Sequence, residues 1–287
     1  MIRKVNRKAL DIKYSGRSSD YITPSFNYGC LYSCAYCYMR RNVKKGVSVA
    51  KNIDDILKAI IKHHNSLPKK QGNQTHNSKW TYDIGCNEDV ALHWKYTDWE
   101  KVINTLIQEN IFPTFATKFV NKELLNYRFN YQARIRFSLM PQELSTILEP
   151  NTSSISDRIE AITEFFNAGW DVHINFSPVI INKGTKKLYK ELFEEIDNKL
   201  TPGVKRFVKS EVIMLTHNID MHKYNLENNP EAEELLWQPD RQELKKSSYQ
   251  KKATTLRYKW RDKASYIKQF KQLYSEIIPW NEIRYIF

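Results

Sequence analysis

Hydrophobic and polar positions along the chain alternate between two patterns, one typical of buried strands and the other of amphipathic helices. Short runs of branched and aromatic residues predict strands over residues 21–26, 79–84, 113–117, 134–139, 172–181 and 206–216. Apolar residues spaced three or four apart predict helices over residues 52–64, 98–107, 122–125, 156–168 and 188–200. Strands and helices therefore follow each other in a series of six β/α units.

Two stretches fall outside this alternation. Residues 66–78 are polar and lack a period, which predicts a surface loop. Residues 217–252 are charged and contain Pro230 and Pro239, which predicts a loop or helical insertion before a final helix at 265–278 and a terminal strand at 282–287. We therefore predict two regions: a barrel over residues 1–216, and a charged insertion with a helix and strand extension over 217–287 that packs on the barrel.

Six β/α units in series predict an α/β fold, with a parallel sheet covered by helices on the outside. Six units curl more naturally into an open, partial (βα)6 barrel of the TIM type than into a closed barrel of eight strands. Functional residues of such folds lie at the carboxyl ends of the strands. The loop that follows the first predicted strand therefore belongs to the functional face.

Charge and apolar content narrow the class of protein. The 287 residues contain 45 Lys and Arg against 32 Asp and Glu, a formal net charge of +13, which suits a polyanionic partner such as a nucleic acid. No apolar run is long enough to span a membrane, and the basic amino terminus has no apolar core after it. We therefore expect a cytoplasmic protein without membrane contact, whose thiols stay reduced.

Three of the four cysteines lie in the loop after the first predicted strand, as Cys30-x3-Cys34-x2-Cys37. This spacing supplies three thiolates, one fewer than the four that fully ligate a four-iron four-sulfur cluster, so that one iron would stay open. A zinc site would need a fourth ligand, and the nearest histidines, His63 and His64, lie on the following helix. A three-cysteine zinc site and a set of buried free thiols are the alternatives.

The spacing, with Tyr36 before the last cysteine, resembles the signature of the radical S-adenosylmethionine superfamily. A closer resemblance, to spore photoproduct lyases, runs from about residue 21 to about residue 261. It rests on short motifs in a common order: Gly29-Cys30-x3-Cys34-x-Tyr36-Cys37-Tyr38, Gly85-Cys86-Asn87-Glu88-Asp89, Phe115-Ala116-Thr117-Lys118, Arg136-Phe137-Ser138, Glu149-Pro150-x-Thr152-Ser153, Arg158-Ile159-Glu160-Ala161, Ala168-Gly169 and Tyr258-Lys259-Trp260. The resemblance implies a lyase that reverses a thymine-thymine lesion in DNA by radical chemistry.

The resemblance also implies the cofactors and the residues that hold them. A 4Fe-4S cluster would be ligated by three thiolates, and S-adenosylmethionine would chelate the open iron and yield a deoxyadenosyl radical on reduction. The expected cluster ligands are Cys30, Cys34 and Cys37. The residues expected near S-adenosylmethionine are Tyr38, Asn87, Lys118 and Ser138.

Cys86 is the only cysteine outside the cluster motif, and it follows the second predicted strand. The resemblance gives it the role of the thiol that donates a hydrogen atom to the product radical. Tyr36 and Tyr38 correspond to two tyrosines that relay the radical back. The alternatives are a small buried hydrophobic residue for Cys86 and a packed barrel wall for the two tyrosines.

The sequence departs from the family where the lesion is bound. A glycine- and tyrosine-rich hairpin after the Tyr-Lys-Trp motif is replaced by residues 261–265, and Arg257, Tyr258 or Arg261 could take over part of its role. The expected partners are DNA and an electron donor such as flavodoxin or ferredoxin. Two alternatives stay open: radical modification of an undamaged nucleotide, RNA or peptide, and a non-catalytic, metal-containing nucleic-acid-binding protein.

Overall fold

The fold was analysed in a computed structural model, which describes residues 2–39, 46–182, 184–246 and 254–287. Strands in this part of the chain are β1 (Ile2–Val5), β2 (Lys13–Tyr14), β3 (Tyr21–Ile22), β4 (Asn27–Tyr28), β5 (Val47–Ala50), β6 (Thr81–Asp83), β7 (Phe112–Thr117), β8 (Arg134–Leu139), β9 (Asp171–Val179), β10 (Ser210–Met214), β11 (Thr216–Asn218), β12 (Gln242–Lys246), β13 (Thr254–Tyr258) and β14 (Ile283–Ile286). The helices are α1 (Ile53–Asn65), α2 (Trp99–Gln108), α3 (Gln142–Leu148), α4 (Ile155–Asn167), α5 (Thr185–Lys199), α6 (Pro202–Lys205), α7 (Ile219–Asn228), α8 (Pro230–Leu236) and α9 (Trp260–Ile277).

A curled eight-stranded sheet organises the chain, in the order β14-β10-β9-β8-β7-β6-β3-β2. Every neighbouring pair is parallel except β2 with β3, which is antiparallel at the edge. The mixed α/β fold with a parallel sheet is therefore confirmed. The sheet extends beyond the strands of the six predicted units, because the predicted terminal strand, β14, joins one edge and the unpredicted β2 joins the other.

Both faces of the sheet are covered at strand β8. Its six side chains are all buried, although apolar and polar residues alternate along it. Ile135, Phe137 and Leu139 belong to the hydrophobic core, and the Phe137 ring packs edge-on against Phe165 of α4. Since successive side chains of a strand point to opposite faces, Arg134, Arg136 and Ser138 share the other, concave face.

Ion pairs fill the concave face of the sheet. Arg136 is bound by Asp83 of β6 and by Glu211 of β10, at 2.7 Å and 2.8 Å. Glu211 also accepts from Arg284 of β14 at 2.8 Å. These pairs compensate charges that would be costly to bury alone. They also connect strands from both halves of the sheet.

The segment 66–78 differs from the predicted surface loop. Lys70 and Thr75 are buried, and both bind the carboxylate of Asp20. The Thr75 carbonyl accepts a hydrogen bond from Arg134 at 2.7 Å. The surface prediction was therefore wrong for these residues, because their polar groups meet buried charges rather than water.

The insertion after β10 is partly helical. It contains α7, α8 and a small antiparallel sheet in the order β11-β13-β12. A second small sheet, β1-β5-β4, precedes α1. Helix α9 packs beside α5 before β14 returns to the large sheet. In the described ranges, no helix combines the length and apolar character needed to cross a membrane.

Candidate active site

The cysteine loop follows β4 and is fixed by backbone hydrogen bonds from distant parts of the chain. Gly29 N donates to the Asn87 carbonyl at 3.1 Å, and Ala35 N donates to the Leu148 carbonyl at 2.8 Å. Cys37 N donates to the Cys34 carbonyl at 3.0 Å, which closes a tight turn between these two cysteines. The loop is therefore held against the turn after β6 and the end of α3.

The three thiols of the loop share one electrostatic environment. Burial raises the pKa of Cys34 well above its ordinary value, and that of Cys30 to about 12. Each of these two thiols also interacts with the charge of Cys37, and both interact with the cation of Lys118. Thiolates at this place would need the compensating positive charge of a metal centre.

The three thiols of the loop can be compared with what a single ion and a cluster each require. Among the residues that the structure describes, no three His, Cys, Asp or Glu side chains are arranged to hold one metal ion. In an iron-sulfur cube each cysteine binds a different iron, so the three sulfurs need not converge on one point. Three thiols in one loop, without a nearby fourth ligand, are compatible with such a cube.

Tyr38, Cys86 and Asn87 lie together, although they come from two different loops. The Tyr38 hydroxyl is 2.9 Å from the Cys86 carbonyl and 2.9 Å from Asn87 Oδ1. Against the larger effect of desolvation, the Tyr38 side chain also tends to lower the pKa of the Cys86 thiol. Asn87 is held in turn by Ser25, to whose hydroxyl it donates at 2.6 Å.

Cys86 has an exposed side chain, unlike the buried Cys34. Desolvation by the surrounding protein nevertheless raises the pKa of its thiol to about 12, so the neutral S–H form persists at neutral pH. Gly85, just before Cys86, lies in a crowded place, since a Cβ there would lie 2.9 Å from Val90 and 3.0 Å from Phe115. The alternative of a buried hydrophobic cysteine does not describe this position.

Lys118 follows β7 directly and points toward the same region. Its ammonium group lies 3.5 Å from Glu149 Oε1 and 3.4 Å from the Ser177 carbonyl. Its backbone N–H donates to Asp89 at 2.8 Å, which anchors the end of the strand. The ammonium is also 5.9 Å from the centre of the Tyr36 ring.

Ser138 lies near the end of β8, in register with Asn175 of β9. Both side chains are buried, and the Asn175 amide is 3.4 Å from the Ser138 hydroxyl. Among the residues that the structure describes, none hydrogen-bonds the buried Asn175 Oδ1. This buried amide oxygen can therefore accept a further hydrogen bond at this end of the concave face.

Glu149 is a site residue that the sequence reasoning did not single out. Its Oε1 accepts from the Tyr36 hydroxyl and faces Lys118, while Oε2 binds Arg158 at 2.9 Å. Burial alone would raise the pKa of Glu149, but Lys118, Arg158 and the hydrogen bonds outweigh it and lower that pKa. Its only sequence signal was its place in the Glu-Pro-x-Thr-Ser motif.

The three residues considered as substitutes for the missing hairpin differ in exposure. Tyr258 is buried, and its hydroxyl accepts a hydrogen bond from Ile181 N at 2.8 Å. Arg257 is half-buried and Arg261 is exposed. The Tyr258 hydroxyl is thus used inside the fold, and a role of any of the three residues in place of the hairpin stays a prediction.

Comparisons with known proteins agree with one another. The family model described as spore photoproduct lyase matches residues 3–287. Spore photoproduct lyase of Bacillus subtilis (strain 168) is 28% identical over 213 residues, which cover 72% of this chain and 59% of that protein. The Clostridium acetobutylicum spore photoproduct lyase is 28% identical over 199 residues, covering 68% of this chain and 56% of that protein. The chain thus spans less than two thirds of the length of these relatives.

Solved structures give the same result for the fold. A spore photoproduct lyase complexed with dinucleoside spore photoproduct superposes with a TM-score of 0.84 at 20% identity, covering 100% of this chain and 82% of that one. A variant of such a lyase with bound AdoMet and dinucleoside spore photoproduct gives a TM-score of 0.85 at 20% identity, with the same coverage. At this level of identity the likeness establishes the fold.

Proposed function

The chain belongs to the spore photoproduct lyase family, and from this premise we propose that it is a radical S-adenosylmethionine lyase that repairs a thymine lesion in DNA. The observation that carries the proposal is the contact of Tyr38 with Cys86 and Asn87, beside the three-cysteine loop. In this proposal the loop that would hold a cluster and a separate exposed thiol for hydrogen donation are neighbours, through Tyr38. Bound AdoMet and spore photoproduct in a related structure support the same cofactor and substrate.

Cys30, Cys34 and Cys37 are the proposed ligands of a 4Fe-4S cluster. With S-adenosylmethionine on its open iron, such a cluster supplies a deoxyadenosyl radical when it is reduced. The ammonium of Lys118 can pair with the carboxylate of the cofactor, once it exchanges its 3.5 Å contact with Glu149. Ser138 and Asn87 provide a hydroxyl and an amide for the other polar groups of the cofactor.

Cys86 is the proposed hydrogen donor. Its S–H bond breaks homolytically, the hydrogen atom passes to the carbon radical of the product, and one unpaired electron stays on sulfur. Tyr38, whose hydroxyl lies 2.9 Å from the Cys86 carbonyl, can pass its hydroxyl hydrogen to that sulfur and take over the unpaired electron. The Tyr36 hydroxyl, bound to Glu149, belongs to the second tyrosine of this proposed relay.

The substrate part of the proposal rests on charge and on the relatives. A lesion must leave the duplex to reach the sheet edge, at a cost of a few kcal/mol that damage to the base already lowers. Arg261 and Arg257 are the proposed phosphate or lesion contacts, within a chain of net charge +13. DNA binding is therefore proposed together with the lyase activity.

Further parts of the proposal concern architecture and surroundings. We describe the fold as a partial (βα)6 barrel of the radical S-adenosylmethionine type, extended at both sheet edges. The division into residues 1–216 and 217–287 remains a prediction. We also propose a flavodoxin or ferredoxin as electron donor. The proposed location is the cytoplasm, where low-potential chemistry can persist.

The proposal is tested by product analysis with Cys86→Ala after anaerobic reconstitution. This variant should still cleave S-adenosylmethionine, but the substrate radical should be trapped as adducts with solvent or reductant in place of clean thymine. Since Cys86 is exposed, the melting temperature of the variant should differ little from that of the wild type. Wild-type protein that cleaves no cofactor, or a variant with an unchanged product spectrum, contradicts the proposal. Cofactor cleavage without lesion conversion in the wild type points to another substrate.

A further inference from the structure

A buried polar cluster in the 217–246 segment lies directly against the cysteine loop. Asn225 of α7 and Glu233 of α8 are buried, and Asn225 Nδ2 donates to Glu233 Oε2 at 2.7 Å. The same Nδ2 donates to the carbonyl of Ala35, at 2.9 Å. Ala35 is the residue between Cys34 and Tyr36, so this helix contacts the cysteine motif through its backbone.

Glu233 is itself held from two sides. His217 Nε2 hydrogen-bonds Glu233 Oε1 at 3.0 Å, and His222 Nδ1 hydrogen-bonds the same oxygen at 2.6 Å. The His222 ring stacks on Trp237, with ring centres 3.6 Å apart. Because each partner of the carboxylate is itself packed, Asn225 has little freedom to turn away from Ala35.

The backbone of Ala35 is thereby hydrogen-bonded through both its N–H and its carbonyl. Its N–H donates to the Leu148 carbonyl at the end of α3, and its carbonyl accepts from Asn225 of α7. These partners lie more than 100 residues away along the chain, so each contact closes a long loop and forms only in the folded protein. A hydrogen bond that holds a buried backbone carbonyl is costly to leave unmade.

We propose that Asn225 is a positioning residue for the cysteine loop, and that α7 and α8 act through it as a clamp on the proposed cluster site. The inference rests on the proposed function only where it assigns the loop to a cluster. The clamp itself is a property of the protein without its cofactor. It gives the 217–246 segment, which has no part in the proposed chemistry, a role in shaping the site.

The test measures alkylation of individual cysteines in the cofactor-free protein, by mass spectrometry after timed exposure to iodoacetamide. Cys34 is buried and Cys86 is exposed, so Cys86 serves as an internal reference. Asn225→Leu keeps the approximate volume but removes both donated hydrogen bonds. The rate at Cys34 relative to Cys86 should rise roughly tenfold, which corresponds to about 1.4 kcal/mol, as for one buried hydrogen bond.

Met221→Ala is the matched control, because Met221 is buried on the same helix and its thioether cannot donate to Ala35. It should lower the melting temperature without changing the ratio of Cys34 to Cys86 alkylation. A ratio that changes less than twofold in Asn225→Leu, or that changes equally in Met221→Ala, overturns the clamp.

Native-state hydrogen exchange of the wild type provides a second measurement that needs no variant to fold. The Ala35 amide should open with the same free energy and denaturant dependence as the amides of α7, as members of one cooperative unit do. Opening of Ala35 at a distinctly lower free energy overturns the clamp. In reconstituted protein, Asn225→Leu should also alter the electron paramagnetic resonance spectrum of the cluster. A wild type that takes up no cluster would contradict the proposed function alone.

Discussion

Replacing Glu149 with Gln should strongly destabilise the protein, because this carboxylate compensates buried positive charge. Glu149 is 2% exposed, and its partner Arg158, 2.9 Å away, is fully buried. Glu149→Gln keeps the shape but leaves the guanidinium without a counter-charge. Breaking a buried pair at one partner costs about 3–5 kcal/mol. At about 2 °C per kcal/mol for a chain of this size, the melting temperature should fall roughly 6–10 °C.

The same substitution should change the dependence of stability on pH. Burial would raise the pKa of Glu149, but Lys118 and Arg158 outweigh it, so the folded-state pKa lies below its ordinary value of 4.5. A lowered pKa contributes stability that is complete above the unfolded-state value and is lost as pH falls through the folded-state value. The stability gap between wild type and variant should therefore be full at neutral pH and narrow below about pH 4.5.

The assay is urea unfolding of the cofactor-free protein at neutral pH and again in acid, followed by circular dichroism. Glu143→Gln is the matched control, since Glu143 lies exposed on α3, the helix that ends just before Glu149. It should change the free energy of unfolding by no more than about 0.5 kcal/mol. A loss of less than about 1 kcal/mol in the free energy of unfolding of Glu149→Gln at neutral pH, or a gap that stays constant from neutral to acid pH, would refute the reasoning.

Three further predictions concern the cluster, the nucleic acid and the concave face. Replacing Cys30, Cys34 or Cys37 with Ala should abolish the brown chromophore and the cleavage of S-adenosylmethionine, and retention of both at the wild-type level would rule out the cluster assignment. Affinity for duplex DNA should fall steeply with salt, as counterion release requires, and should be higher for a lesion-containing site; equal affinity for any polyanion would argue for nonspecific charge alone. Glu211→Leu should destabilise by about 3–5 kcal/mol, because Arg136 and Arg284 both lose a buried partner; a chemical denaturation midpoint equal to that of the wild type would contradict this.

Much of the architecture was determined by the sequence alone, because its signals are local. Apolar periodicity identified the parallel strands from β3 to β10 of the large sheet and helices α1, α2, α4 and α5, but not β4, β5, α3 or α6. Serial β/α units place consecutive strands side by side. The cysteine spacing, Cys86 and Lys118 could be assigned to the carboxyl ends of strands on the same grounds. Their roles stay predictions. The cysteine loop itself follows β4 of a small separate sheet, so its place beside Cys86 depends on tertiary contacts such as that of Gly29 with Asn87.

Which polar residues are buried together depends on contacts between distant elements of the fold. Alternation in Arg134-Ile135-Arg136-Phe137 is equally typical of a strand with one face in water, yet both arginines lie inside the concave face. Arg136 meets Glu211 across 75 residues of sequence, and Asn225 meets Ala35 across 190. Such pairs depend on how the sheet curls and where the insertion packs. No local periodicity encodes them, because a buried charge is compensated only when an opposite charge from a distant element packs beside it.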